Sequence, residues 1–562
     1  MSAVPSTPVL PGENRSQPGP DAAETPAEAA LPATPAATGS LTMPGRRAAL
    51  YMLAAVFLSL AQGLGMNAIA ANLVQIQGSF GVTVTEATWL MAAYMAPNVS
   101  LSLILIKVRS QIGLRRFAEI GIVVFVVVSA IHLYVDEFRT AMVLRFFAGM
   151  AASPMSSLAF LYMLEPFPPA RKMTVGLCLA LANMSIAAPF ARLISPPLLD
   201  LGQWHAIYRV ELGCALIALV AVYLLPLTSP PRAKVIGWLD LVSYLFIAVG
   251  FGSLAVALIV GRLYWWFEAP WIGMLLAIGV VCLTAATMIE LNRASPLIDI
   301  RWLASAPVLH FSGALLLLRV LLSEQSAGAI PFLAQLGLVP GQIAILWTAI
   351  LVASVVAGLA CAAFIRPGRE PIFHGLALAL VCAGAFLDAH STSATRAEQM
   401  LLSQSMIAVG AAIFLPPAMA QGIGMALKNG PQYLLSFFVV FLTTQNLGGL
   451  AGSALLGTFV TIREKLHSSY LAEHLTLADP MVAQRVSQLG AAYGKVLQDR
   501  VLLNAEGVQL LGQQVSREAW VLAYNDMFML VAAVSAIALS IHIIQQCYRA
   551  ARAAALARAT PV

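Results

Sequence analysis

Charge is what this sequence has least of. Of 562 residues only 10% are Asp, Glu, Lys or Arg, while 59% are hydrophobic. Soluble globular chains carry about 25% charge, so a water-facing surface over the whole chain is excluded. Mean hydropathy is +0.82. Cysteine is scarce too. Cys178, Cys214, Cys282, Cys361, Cys382 and Cys547 fall in or beside apolar runs, with no C-x-x-C pair. A disulfide framework and a zinc site are therefore excluded, and the thiols read as small packing residues. The eight histidines are scattered singly, and neither H-x-x-x-H nor G-x-S-x-G occurs. These absences argue against an enzyme and against any bound metal. The net charge of +6 is no nucleic-acid signal, because the basic residues sit in short loops between apolar runs.

What the sequence has is long apolar runs. A spanning helix needs about 20 apolar residues to cross roughly 30 Å of hydrocarbon. Fourteen runs qualify, near 48–69, 86–106, 117–135, 140–164, 173–194, 207–226, 238–260, 269–290, 308–330, 342–365, 372–390, 399–426, 433–460 and 519–545. Residues 1–45 differ in kind. They are rich in Pro, Ala, Thr and Ser, a composition that cannot bury a core, and they lack the charged n-region of a signal peptide.

Positive charge gives an orientation, since cytoplasmic loops are rich in Lys and Arg. With the N-terminus inside, inner segments hold Arg46, Arg47, Lys107, Arg109, Arg115, Arg116, Arg171, Lys172, Arg232, Lys234, Arg293, Arg301, Arg366, Arg369, Lys428, Arg549, Arg552 and Arg558. Short outer loops hold only Arg139, Arg262 and Arg396. An odd helix count would break this alternation, so both termini are expected in the cytoplasm.

The expected chain is thus an all-α integral membrane protein in a 6+2+6 layout. Its parts are a disordered tail (1–45), a first six-helix half (46–227) and a central helix pair (238–290). The first five helices of a second half (306–461) follow. A periplasmic amphipathic segment (462–518), a last helix (519–545) and a cytoplasmic tail (546–562) complete it. Two six-helix halves are a common transporter plan.

Several motifs carry a resemblance. KVRSQIGLRRF, Lys107 to Phe117 between the second and third helices, resembles the major facilitator loop motif G-x-L-A-D-R-x-G-R-[KR]. Gly113 and Arg115 match and Arg116 extends the basic run, but Ser110 replaces the acid and Gln111 the first Arg. In that family the acid helps to lock the cytoplasmic gate, so the lock here is weaker or differently made. In the fourth helix RFFAGMAASP is similar to R-x-x-Q-G, through Arg145 and Gly149. AAPFARLISPP keeps Pro189 of the fifth-helix antiporter motif but replaces its glycines, and Trp204 stands where the family shows Trp-Arg-Trp. QNLGGLAGSALLGTFVTIREKLH (Gln445 to His467), the outer segment and Tyr524-Asn525-Asp526 resemble the fourteen-helix drug:proton antiporter branch, which includes the inner-membrane pumps of tripartite efflux systems. In GLGMNAIAANL, Asn67 stands where that branch has an acid.

The resemblance, covering about residues 46–545, implies a major facilitator fold in a bacterial inner membrane. It implies proton-coupled efflux of hydrophobic or amphipathic organic compounds, driven by the proton gradient without a cofactor. The other reading is uptake or exchange of a specific metabolite or siderophore by the same fold.

Ionisable residues inside spans are expensive and usually face the bundle interior. Arg145, Arg192, Arg209, Glu211, Arg319 and Glu324 lie in or at the edge of spans, with Asp526 at the start of the last. A proton carrier needs a carboxylate whose hold on a proton is raised by burial and lowered by a movable cation. Glu324 and Arg145 form the first such pair of candidates. The alternatives are a buried salt bridge for Glu324 with Arg319 or Arg145, helix packing for Arg145, an ion pair between Arg192 and Glu211, and a helix-start role for Asp526. Glu119 and Glu290, near the inner interface, read as solvated. The substrate cavity is expected to use Gln62, Asn67, Asn98, Asn183, Gln421 and Gln445, though each can equally serve as interhelical glue. Pro97, Pro154, Pro189, Pro416 and Pro417 break backbone bonding within spans, which a membrane tolerates where protein or a cavity supplies partners.

In the outer segment, residues recur at helical spacing: Leu466, Tyr470, Leu471, His474 and Leu475, then Val486, Leu489, Tyr493 and Leu497, then Val508, Leu511 and Val515. Such a stripe outside the membrane must be covered. Either it packs on the carrier's own outer face, or it docks a periplasmic adaptor leading to an outer-membrane channel.

Overall fold

A computed structural model describes residues 41–202, 205–228, 232, 234–293, 296–366, 368–430 and 432–559. Among them fourteen helices are long and apolar enough to cross a membrane, and no strand occurs. The first six are α1 (Gly45–Ala71), α2 (Val84–Ile112), α3 (Leu114–Tyr134), α4 (Phe138–Leu164), α5 (Pro169–Leu198) and α6 (His205–Leu224). The central pair is α7 (Trp238–Val260) and α8 (Pro270–Leu291). The last six are α9 (Ala306–Gln335), α10 (Pro340–Phe364), α11 (Glu370–Asp388), α12 (Ala397–Asn429), α13 (Tyr433–Glu473) and α14 (Arg500–Ala559). Helices are what these runs must form, because hydrocarbon offers no partner for an open backbone group.

Local chemistry sets the ends. Thr83 and Glu86 close a capping box at the start of α2: Thr83 Oγ1 accepts from the Glu86 amide at 3.1 Å, and Glu86 Oε2 accepts from the Thr83 amide at 2.8 Å. Gly113, at φ +88°, turns the chain from α2 into α3, a backbone region that only glycine enters freely.

Within the first half α1 packs on α4, α5 and α6, and α2 packs on α4. Within the second half α11 packs on α12 and α14, α13 on α9 and α14, and α10 on α12. The halves meet where α5 lies along α10 and where α2 meets α13; the central pair packs through α7 on α2 and α13. At the α5–α10 seam the Cys178 and Cys361 sulfurs are 3.6 Å apart, both as thiols. Large apolar side chains on the outer faces, such as Leu245, Val280, Val281 and Val356, are exposed, as lipid-facing residues must be.

Three boundaries differ from the sequence reading. Residues 462–518 are not a separate amphipathic segment, because α13 continues to Glu473 and α14 begins at Arg500. No proline interrupts either extension, so a spanning helix and its polar continuation form one rod. Between them lies a short helix, Pro480–Ala491. It packs on α14 so closely that a Cβ on Gly490 would lie 2.4 Å from the Leu503 carbonyl oxygen. The last helix is correspondingly longer than 519–545, and it carries the expected tail from 546 onward as helix up to Ala559. Residues 1–40 of the expected disordered tail lie outside the described residues.

Candidate functional site

Each half buries one group of ionisable side chains. In the first half it centres on Arg145 of α4, which is 1% exposed. The close approach of α2 and α4 explains its position: a Cβ on Gly149, one turn further, would lie 2.0 Å from the Tyr94 carbonyl oxygen. Asn98 seals the same contact by donating to the Gly149 carbonyl at 3.0 Å. The Arg145 guanidinium therefore rests over the Tyr94 ring, 4.3 Å from its centroid, a cation–π contact strengthened by desolvation. From α6, Glu211 accepts from Ser129 of α3 at 2.9 Å, while Tyr208 stacks on His132 at 4.7 Å. No direct ion pair joins Arg145 to Glu211. Nη1 and Nη2 of Arg145, Oε2 of Glu211 and the Tyr94 hydroxyl are buried without a hydrogen-bonded partner. Such orphaned groups have a functional explanation or an unseen partner; here they offer donors and acceptors inside one cation-plus-acid site.

In the second half the arrangement differs. Glu324 of α9 is 0% exposed, and Asp388, the last residue of α11, is 3% exposed. Gln404 of α12 lies between them, its Nε2 donating to Asp388 Oδ2 at 2.7 Å and to the two Glu324 oxygens at 3.1 and 3.3 Å. Ser403 donates to Asp388 Oδ1 at 2.5 Å, and Gln325 holds the Gln404 carbonyl at 3.2 Å. No basic side chain forms a salt bridge with either carboxylate among the described residues. Glu324 sits where α9 widens into a π-helical turn at Gln325–Ala329, just ahead of Pro331. Proline has no N–H to continue the ladder, and π turns within α-helices often mark functional sites.

The other candidates are scattered. Arg145 and Glu324 are not brought together: one belongs to the α2–α3–α4–α6 cluster and the other to α9–α11–α12. Arg192 and Glu211 form no ion pair either, since the Arg192 guanidinium lies 5.3 Å from the Trp347 ring across the α5–α10 seam. Asp526 does not start a helix. It lies within α14 and accepts from Arg463 Nε and His467 Nε2 of α13, both at 2.6 Å. Asn98 and Asn183 are glue, buried and bonded to Gly149 of α4 and Ala55 of α1 (each 3.0 Å). Asn67 donates to Gly63 within its own helix at 2.8 Å. Gln62 is part-buried on α1, Gln421 is exposed on α12, and the Gln445 carbonyl accepts from Arg319 at 3.1 Å. Of the loop motif, Arg115 pairs with Glu119 at 2.9 Å, Arg116 is exposed and Arg109 part-buried. Glu290 is not solvated as expected but 3% exposed. Trp204 lies outside the described residues.

Asp388 and Gln404 were missed from sequence. Asp388 is an acid in an apolar run, the criterion that singled out Glu324, but it falls at the run's outer edge. Gln404 gave no signal beyond an amide in a span.

The architecture has solved counterparts. The human organic anion transporter MFSD10 (TETRAN) superposes with a TM-score of 0.53 at 13% identity, covering 88% of this chain and all of that one. No protein-family profile matches the sequence. The fatty acid resistance protein FarB of Neisseria gonorrhoeae is 24% identical over 507 residues, 85% of this chain and 93% of FarB. In sequence the chain is similar to transporters of the major facilitator type, and it shares its fold with a solved transporter. The multidrug export protein EmrB of Escherichia coli (strain K12) is 22% identical over 481 residues, 82% of this chain and 88% of EmrB. The likeness is to multi-pass membrane transporters, and it agrees with the fourteen helices that are long and apolar enough to cross a membrane.

Proposed function

We propose that this transporter exports hydrophobic or amphipathic organic compounds from a bacterial cell in exchange for protons, across the inner membrane, with both termini in the cytoplasm. One observation carries the coupling: Glu324 and Asp388, both buried, share the single amide of Gln404, and neither forms a salt bridge among the described residues. Two carboxylates this close in a dry site repel, and a proton on one relieves the repulsion. Their net charge must therefore follow proton supply. Arg145 and Glu211 supply the complementary element, a fixed cation and acid whose unpaired groups face the first half's interior. The names of FarB and EmrB support outward transport of compounds harmful to the cell.

The test is transport in everted vesicles energised by a proton gradient, with a fluorescent amphiphile as substrate. Wild-type protein should accumulate the dye and lose it when the gradient is collapsed; accumulation unaffected by collapse refutes proton coupling. Reporter fusions at Arg232 and Lys428 should read cytoplasmic and one at Ser487 periplasmic. A cytoplasmic signal at Ser487 refutes the orientation.

A periplasmic adaptor is the proposed partner at the outer end of α13 and α14. Leu477, Met481, Val496 and Val501 are exposed there beyond the spans. Changing these four to Ser should leave dye transport in vesicles intact while abolishing resistance in whole cells. Unchanged resistance refutes the docking site.

A further inference from the structure

The α2–α3 connection carries Ser110 and Gln111 where the loop motif it resembles has an acid and an arginine, yet the end of α2 still meets a carboxylate. Lys107 Nζ lies 2.8 Å from Oδ1 of Asp240, in the first turn of α7. Arg293, just beyond α8, reaches the same oxygen through Nη2 at 2.7 Å and Glu290 Oε1 through Nη1 at 3.0 Å. The four side chains are only 12%, 2%, 10% and 1% exposed in the order Lys107, Asp240, Arg293 and Glu290. Glu290 Oε2 then accepts from the amides of Leu297 and Ile298, at 2.5 and 3.2 Å. That strand of chain is tied to α13: the Asp299 amide donates to Ser436 Oγ at 2.8 Å, and Trp302 stacks on Tyr433 at 5.3 Å. A second grip lies beside it. Gln111 Oε1 accepts from the Ile236 amide at 3.0 Å, and Arg232 crosses so close to Gly113 that a Cβ there would sit 2.9 Å from its Nε.

The relay thus runs from α2 of the first half, through α7 and α8, to α13 of the second. Burying four charges is expensive, and apolar residues of similar volume often replace such groups without loss of stability. Stability alone is therefore a poor reason for them. The place they occupy supplies a better one, because α2 and α13 are where the halves meet. Movement of one against the other at this end must stretch the relay.

We propose that Asp240 is the positioning residue of the gate on the Arg- and Lys-rich face. In this reading the central helix pair is the clamp that keeps the ends of α2 and α13 together, replacing the acid absent at Ser110. The inference rests on the transporter fold and not on the Glu324–Asp388 centre or on the direction of transport.

Leu103 of α2 and Val439 of α13 belong to one buried apolar cluster behind this gate, and Leu193 of α5 packs against the second half further along the seam. In full-length protein with its six cysteines changed to Ser, Leu103→Cys and Leu193→Cys serve as separate reporters. Each is labelled by a membrane-impermeant maleimide in vesicles of both orientations. Asp240→Asn should raise labelling of Leu103→Cys from the basic face severalfold and lower labelling of Leu193→Cys from the opposite face. Asp240→Glu should restore both. Lys107→Gln, which leaves Asp240 paired with Arg293, should act in the same direction but less, and covers the case in which Asp240→Asn fails to fold. A rise at Leu103 with no fall at Leu193 means that the helix pair has merely loosened, and it overturns the proposal. So does unchanged labelling at both reporters.

Discussion

In the first half, Arg145 lies against Tyr94 with Glu211 in the same cluster; in the second, Glu324 and Asp388 face one amide and, among the described residues, no salt-bridged base. The halves share a helical plan but solve the cost of buried charge differently. A guanidinium cannot be deprotonated in a protein, so the first centre keeps its cation whatever the pH. The charged groups of the second are carboxylates alone, which can gain and lose protons. One centre is suited to holding a field fixed and the other to changing it, a division that two identical halves could not make.

The largest effect that could break this contrast comes from removing titration in the second half. Glu324→Gln and Asp388→Asn keep shape and hydrogen-bonding capacity, and each should reduce gradient-driven dye transport to background while membrane abundance stays near wild type. Wild-type transport in Glu324→Gln protein would end its role as proton carrier. Glu211→Gln should slow transport without abolishing it; if it is as inactive as Glu324→Gln, the two centres are not functionally distinct.

Stability should show the opposite ranking. Arg145→Ala leaves Glu211 buried without its neighbouring cation and empties a packed site over Tyr94, and large-to-small changes in a buried site are destabilising. A clear fall in melting temperature in detergent is expected, with a smaller fall for Arg145→Lys, which keeps the charge but loses the planar stacking. Equal melting temperatures for Arg145→Ala and wild type would show that the cluster tolerates an uncompensated acid.

The smallest effect belongs to the seam. Arg192→Lys weakens a contact with Trp347 of the order of 0.5–2 kcal/mol, so transport should fall at most severalfold with stability little changed. Complete loss of transport would move Arg192 from the seam into the coupling machinery.

Much of the fold was legible because hydrocarbon imposes a single rule on every run. The ninth run, which holds both Arg319 and Glu324, forms a spanning helix as expected, since each charge is turned to protein: Arg319 to the Gln445 carbonyl and Glu324 to Gln404. Partners were not legible. Arg145 and Glu324 lie in separate clusters in this structure, which the runs could not show, because a span shows that a charge is buried but not which helix it faces. Glu290 read as solvated because it lies near the inner interface; its partners, Arg293 and the Leu297 and Ile298 amides, depend on how the chain folds back. Lys107 and Asp240 are 133 residues apart in sequence. Nothing in either run announces the other.

The 60 residues of α14 form one uninterrupted helix. At about 1.5 Å per residue it is ~90 Å long, against a hydrocarbon layer of about 30 Å. Such a helix has the reach of a lever. Along it Asp526 is bonded to Arg463 and His467, and Met527 and Phe528 press on Gly328 in the π turn that follows Glu324. Over such a length a tilt of a few degrees near Gly328 would displace the far end, where the short helix Pro480–Ala491 is mounted, by several ångströms. One rigid rod thus connects the neighbourhood of Glu324 to the short helix at its far end.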